Sequence, residues 1–198
     1  MSLTRSTMLD LKSKAIPFTL PNFNAAIDEE FVSWPTEAGN SKGLLIAFIC
    51  NHCPYVVHIA EQLSSVMNAA QQQGFNVVAI NANDVDNYAS DSPEKMTEFA
   101  AQYGFEFPYL FDQEQTIAKA YTAACTPDLF LFDASSTLVY RGQFDASRPN
   151  NITAVTGEDL TQAVDYLLAG KDISTEQTPS VGCNIKWVSG NEPDYFGS

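Results

Sequence analysis

Cys50-Asn51-His52-Cys53 sets two thiols three positions apart with an imidazole between them. The pair closes an apolar run, Leu44 to Ile49, and precedes a helical pattern that starts at Pro54. A buried strand delivering a C-x-x-C to a helix N-terminus puts a thiol where backbone N–H groups and the helix dipole stabilise a thiolate. Thiolate is the species that attacks a disulfide or a peroxide. Cys50, nearer the exposed start of the helix, is the expected nucleophile. Cys53, inside the first turn, is the expected resolving thiol. An unshifted pKa of ~8.5 leaves only a few per cent thiolate at pH 7, and a depression of about two units makes it the major form. His52 would stabilise that thiolate by charge or hydrogen bond and make the disulfide more oxidising. Pro54 lacks an N–H, tolerable only in a first turn, so the helix should start no earlier than about Cys50.

The same residues admit a metal reading. A structural zinc site wants four ligands, commonly two such pairs, whereas Cys125 and Cys183 stand apart and His52 and His58 are the only histidines. A Cys-x-x-Cys with a nearby His can also catch adventitious copper or zinc. The expectation is therefore no resident metal and no bound cofactor. His58 falls on the polar side of its helix with Glu61, Gln62 and Ser65 and is given no role.

Composition narrows the setting. Four cysteines among 198 residues are too few for a disulfide-built scaffold. With 24 acidic and 10 basic residues the net charge is -14, which repels phosphate backbones and anionic lipid. Nucleic acid and membranes are not expected partners. No apolar run approaches the ~20 residues of a membrane helix. Met1 to Lys14 carries no signal-peptide core, so a cytoplasmic location is expected. The length suits one domain, with a core over about 15–170 and a tail over 171–198.

Several elements must position the thiols. After a lead-in at Ala15 to Pro21 and a short strand at Glu30 to Trp34, unbroken apolar character predicts a buried strand at Gly43 to Ile49. Val56, Ile59, Leu63, Met67 and Ala70 recur at helical spacing over Tyr55 to Gln73. Phe75 to Asn81 reads as a strand, and Ser92-Pro93-Glu94-Lys95 as a capped helix start leading to Tyr103-Gly104. Pro108 to Phe111 and Gln115 to Tyr121 repeat strand and helix. These alternations imply parallel pairing with right-handed crossovers. Leu129 to Phe132 and Leu138 to Gly142 flank a polar turn and predict an antiparallel hairpin, followed by a helix over Gly157 to Ala169. The sum is a mixed α/β sheet covered on both sides. Lys171 to Ser180 reads as a linker, and the tail from Val181 to Val188, with Ile185 and Trp187, should dock back on the domain.

The C-x-x-C at a strand-to-helix junction, the parallel strands around it, the later hairpin and Thr126-Pro127 before that hairpin together resemble the thioredoxin fold. Within it, Phe48 to Val56, Asn81-Ala82-Asn83-Asp84, Asp91 to Met96, Cys125 to Asp133 and Gly182 to Trp187 resemble the peroxiredoxin-like group of thioredoxin-family proteins, from about Ile16 to Trp187. The resemblance implies a mixed central sheet flanked by helices, with an N-terminal extension and a docked C-terminal tail. It implies that Pro127 is cis and that Thr126 and Pro127 present backbone groups to a partner chain beside the disulfide.

The activity so implied is thiol-disulfide oxidoreduction by Cys50 and Cys53, with His52, Thr126 and Pro127 positioning the substrate. Substrates would be protein or small-molecule disulfides and thiols, served by a redox partner protein. Peroxide is the alternative substrate. Peroxide-reducing relatives place a threonine or serine three residues before the reactive cysteine and an arginine nearby. Here Ala47 holds that position relative to Cys50, and Arg141 and Arg148 read as surface cations. A third reading is a non-catalytic thiol protein that binds metal or a partner chain. Cys125, beside Thr126-Pro127, and Cys183, in the tail, are candidates for a second dithiol, or else small buried apolar residues. Asn81, Asn83 and Asp84 follow a strand at the carboxyl edge of the sheet, where loops gather around sites.

Overall fold

The computed structural model describes residues 3–36 and 41–197. Its centre is β4 (Gly43–Phe48), every residue of which is buried. β5 (Asn76–Asn81) runs parallel to it, with Leu44 opposite Asn76 and Phe48 opposite Ile80, and β6 (Tyr109–Phe111) runs parallel to β5. On the other side β8 (Asp128–Asp133) pairs antiparallel with β4, and β9 (Leu138–Gly142) closes the expected hairpin. The five strands lie in the order β6-β5-β4-β8-β9. Parallel neighbours on one side of β4 and antiparallel neighbours on the other make the mixed sheet of a thioredoxin-like fold.

Period-two alternation sends Leu45, Ala47, Val77, Ala79, Leu129 and Leu131 to one face and Leu44, Ile46, Phe48, Val78, Phe130 and Phe132 to the other. The first face is covered by α1 (Pro54–Gln72), α2 (Pro93–Tyr103) and α4 (Glu158–Leu168). α1 buries Val56, Ile59, Leu63, Met67 and Ala70, the stripe its spacing predicts. Ser92 caps α2 by accepting from the Lys95 amide, Pro93 fills the first turn, and Gly104 ends it in a left-handed conformation. The second face is covered by α3 (Thr116–Ala120), by the hairpin of β2 (Phe18–Pro21) and β3 (Phe31–Trp34), and by Ile185 and Trp187 of the tail.

Two findings go beyond the sequence reading. The lead-in segment contains a strand, β2, which buries Phe18 and Leu20 while Thr19 faces out to meet Ser33 at 2.8 Å. The tail docks through a small sheet of its own: β10 (Val181–Asn184) lies between β1 (Leu3–Arg5) and β7 (Cys125–Thr126), antiparallel to both. The two ends of the chain are thus joined beside Thr126. The Lys186 amide donates to Asn83 Oδ1 at 2.8 Å, and its carbonyl accepts from the Asp84 amide and from Gln115 Nε2, so the tail is also tied to the loop after β5. No helix among the described residues is long and apolar enough to cross a membrane.

Candidate active site

α1 begins at Pro54, and Cys53 is its N-cap, in an extended conformation, with its carbonyl accepting from the Val56 and Val57 amides. Cys50 therefore lies outside the helix, in the turn between β4 and α1. The positive end of the helix dipole falls on the second cysteine rather than the first.

The two thiols meet at Thr126. Cys50 Sγ lies 3.4 Å from Thr126 Oγ1, and Cys53 Sγ lies 3.1 Å from the Thr126 carbonyl oxygen. The Thr126–Pro127 peptide is cis, as the resemblance implies.

The expectation that Cys50 is exposed is corrected here. Cys50 is 1% exposed and Cys53 0%. The Cys50 pKa is held well above its ordinary value by its hydrogen bond to Cys53, by burial and by the Asp91 carboxylate. Cys53 is pushed down by hydrogen bonds from the Cys183 and Cys50 side chains, against the cost of burial, with the Thr126 side chain adding to the stabilisation. The Thr126 carbonyl is an acceptor and favours a protonated Cys53; the several donors outweigh it. These causes act in opposite directions on the two thiols and favour Cys53 over Cys50 as the more acidic of the pair.

His52 is held by Asp91, a partner the sequence did not show. His52 Nδ1 lies 2.7 Å from Asp91 Oδ2, and its ring stacks on Tyr88 at 5.8 Å. Asp91 is fully buried and ends a 3-10 turn, Ala89–Asp91. Its carboxylate accepts from the Asn51 amide at 2.8 Å and from Asn83 Nδ2 at 2.7 Å, while its carbonyl accepts from Asn81 Nδ2. Asn81 and Asn83 therefore support Asp91 rather than touching the thiols, and Asn51 is fixed further by the Tyr109 hydroxyl at 2.9 Å. The hydrogen bond to Asp91 pushes the His52 pKa up, with burial opposing. The C-x-x-C turn is thereby clamped to the loop after β5. Asp91 had entered only as the first residue of the Asp91–Met96 stretch that carries the resemblance, with no role of its own.

Cys50, His52 and Asp91 each offer a metal-ligand atom within 4.8 Å of the others, the one such cluster among the described residues. Asp91 already serves the Asn51 amide and Asn83 as well as His52, which leaves a poor donor set for an ion.

Cys125 and Cys183, expected from the sequence to form a second dithiol or else to be small buried apolar residues, are both buried. In the β10–β7 register Cys183 stands opposite Thr126, and Cys125 stands opposite Asn184. Alternation puts Cys183 on the side of Thr126 that Cys53 and Cys50 share, and turns Cys125 the other way. Cys125 Sγ reaches only the Pro127 carbonyl at 3.5 Å, and burial raises its pKa. Arg141 and Arg148 bond elsewhere than to the thiols. Arg141 binds Leu9 and Gln177, and Arg148 binds the Asp145 and Ser147 carbonyls. Arg148 does line a small cleft beside Pro127 with Tyr55, His58, Gln143 and Ser147, an arrangement sequence reasoning did not foresee.

Comparison with known proteins agrees with this geometry. An uncharacterised conserved protein of Geobacillus kaustophilus is 45% identical, with a TM-score of 0.88 over 95% of this chain and 97% of that one. A hypothetical protein of Sinorhizobium meliloti 1021 is 46% identical, with a TM-score of 0.88 over 94% of this chain and 100% of that one. A secreted disulfide oxidoreductase of Mycobacterium tuberculosis shares the fold at 20% identity, with a TM-score of 0.55 over 75% of this chain and 94% of that one. No curated protein matches. The AhpC/TSA family matches residues 11–141, and the chain belongs to that family, as a redoxin-type protein of thioredoxin fold.

Proposed function

We propose that the protein is a thiol-disulfide oxidoreductase that cycles Cys50 and Cys53 between dithiol and disulfide without a bound cofactor. The observation that carries this reading is the convergence of both sulfurs on Thr126, at 3.4 and 3.1 Å, with the second at a helix N-cap. Cys53, as the thiolate, attacks one sulfur of a substrate disulfide, and the other sulfur leaves with the electron pair. Cys50 then gives up its proton and attacks Cys53 Sγ, which closes the ring and releases the second substrate thiol. This order of roles reverses the one expected from sequence. Both sulfurs are sealed, so a substrate reaches them through local opening. Thr126 and Pro127 form the floor of that opening, and His52, held by Asp91, borders it.

Donors that stabilise the Cys53 thiolate stabilise the dithiol over the disulfide. The reduction potential should therefore lie above the thioredoxin value of about -270 mV, on the oxidising side. Insulin-disulfide reduction by the intact chain should survive a chelator and vanish in Cys53→Ser and Cys50→Ser. If peroxide is consumed far faster than by free cysteine while insulin is left intact, the peroxidase reading replaces this one. If neither reaction occurs, the chain is a binding protein.

A further inference from the structure

We propose that Cys183 is a third redox thiol of this site, exchanging into the Cys50–Cys53 disulfide to form a Cys53–Cys183 bond. The inference rests on the redox reading of Cys50 and Cys53 and adds a residue that lies outside the C-x-x-C.

The placement of Cys183 is built by the tail strand. β10 sets it opposite Thr126, the residue both other sulfurs touch. Gly182 makes that approach possible: a Cβ there would stand 2.0 Å from the Thr126 carbonyl oxygen. Cys183 is 4% exposed and packs in the same cluster as Cys50 and Cys53, on the α1 side of the sheet. Its side chain hydrogen-bonds that of Cys53. Lys186, three residues on, contributes positive charge.

The step balances without an outside reagent. Cys183 loses its proton and attacks Cys53 Sγ; the bond from Cys53 to Cys50 breaks as the bond from Cys53 to Cys183 forms. The electron pair of the broken bond leaves on Cys50, which takes up the proton. One disulfide is consumed and one formed. The chemistry is also timed by oxidation state. In the dithiol form, donation to the Cys53 sulfur is the largest cause keeping the Cys183 proton in place, ahead of burial. Once Cys53 is in a disulfide that charge is gone, and Cys183 is freer to ionise beside Lys186. The product fastens β10 to the head of α1 and leaves Cys50 as the thiol available to a second substrate.

The test uses the full chain oxidised with glutathione disulfide, trapped in acid, alkylated and mapped by mass spectrometry without reduction. Wild type should yield both Cys50–Cys53 and Cys53–Cys183 linked peptides, and Cys183→Ala only the first. Cys50→Ser should close Cys53–Cys183 and expel glutathione from Cys53 about tenfold or more faster than Cys50→Ser combined with Cys183→Ala. A Cys50–Cys53 disulfide in wild type together with a stable glutathione adduct on Cys53 of Cys50→Ser, Cys183 being alkylated throughout, overturns the third thiol alone. Absence of the Cys50–Cys53 disulfide from wild type and Cys183→Ala overturns the redox reading and this inference with it.

Discussion

Because α1 begins one residue after Cys53, the helix end acts on that sulfur, while Cys50 sits in a turn whose nearest carboxylate is Asp91. Asp91 thus acts on two titrations at once. Asp91→Asn should lower the His52 pKa, by removing the carboxylate that holds the imidazolium, and lower the Cys50 pKa, by removing a repelling charge. Proton NMR of the His52 ring and the pH profile of Cys50 alkylation would read the two shifts; no change in either overturns the assignment. The variant should also lose about 1–3 kcal/mol, since the buried Asn51 amide would exchange a charged acceptor for a neutral one. A second buried acid lies just past Pro127. Burial pushes the Asp128 carboxyl up to about 7, against hydrogen bonds from Ser6, Ala124 and Ser180. Below the unfolded value of ~3.9 the group is protonated in both states and costs nothing. Between there and about 7 only the unfolded chain ionises, so this group's contribution to stability falls as pH rises; above about 7 the whole penalty stands. Three units correspond to roughly 4 kcal/mol as an upper bound. Asp128→Asn should accordingly stabilise the protein at pH 8 by about 2 kcal/mol and leave it unchanged at pH 4, as read by urea denaturation at the two values.

The element that distinguishes this chain's site from a bare C-x-x-C turn is β10, which seals the thiols from the side of Thr126. Gly182→Ala would drive a methyl into the Thr126 carbonyl oxygen and displace β10 from β7. Overpacking of this kind costs about 1–3 kcal/mol, and the displaced strand should open Cys53 to alkylation, with a rate rising by about 5-fold to 150-fold. An unchanged alkylation rate would show that substrate enters elsewhere. Elements of this kind were hard to read from sequence. β4, β5 and α1 declare themselves because each carries a long local pattern: unbroken apolar residues, or one stripe at helical spacing. β1 and β10 are three and four residues long, and their partner strands lie at opposite ends of the chain. The C-x-x-C and Thr126-Pro127 were legible as motifs. The Asp91 clamp and the nearness of Cys183 to Cys53 were not, because both are made by register and by loops that only the folded sheet brings together.

At the scale of the whole molecule the dominant quantity is the net charge of -14. Such a field acts on the rate at which charged substrates arrive, and its reach is set by the Debye length, ~8 Å at physiological salt and ~30 Å at 0.01 M. Near the thiols the balance is more even, since His52 and Lys186 offset Asp91. The long-range term therefore decides encounter, and the local charges decide docking. Two small disulfides separate these effects. Cystamine is a dication and glutathione disulfide is an anion, but the bond attacked in each is similar. At low ionic strength the oxidation of Cys53 by cystamine should be faster, with a ratio on the order of ten. Raising the salt to 0.5 M should slow cystamine, speed glutathione disulfide and bring the two rates within about threefold. Quenched-flow alkylation of Cys53 would follow both reactions. A ratio indifferent to salt would mean that the charges around His52 and Lys186, rather than the acidic surface, govern which disulfides the protein meets.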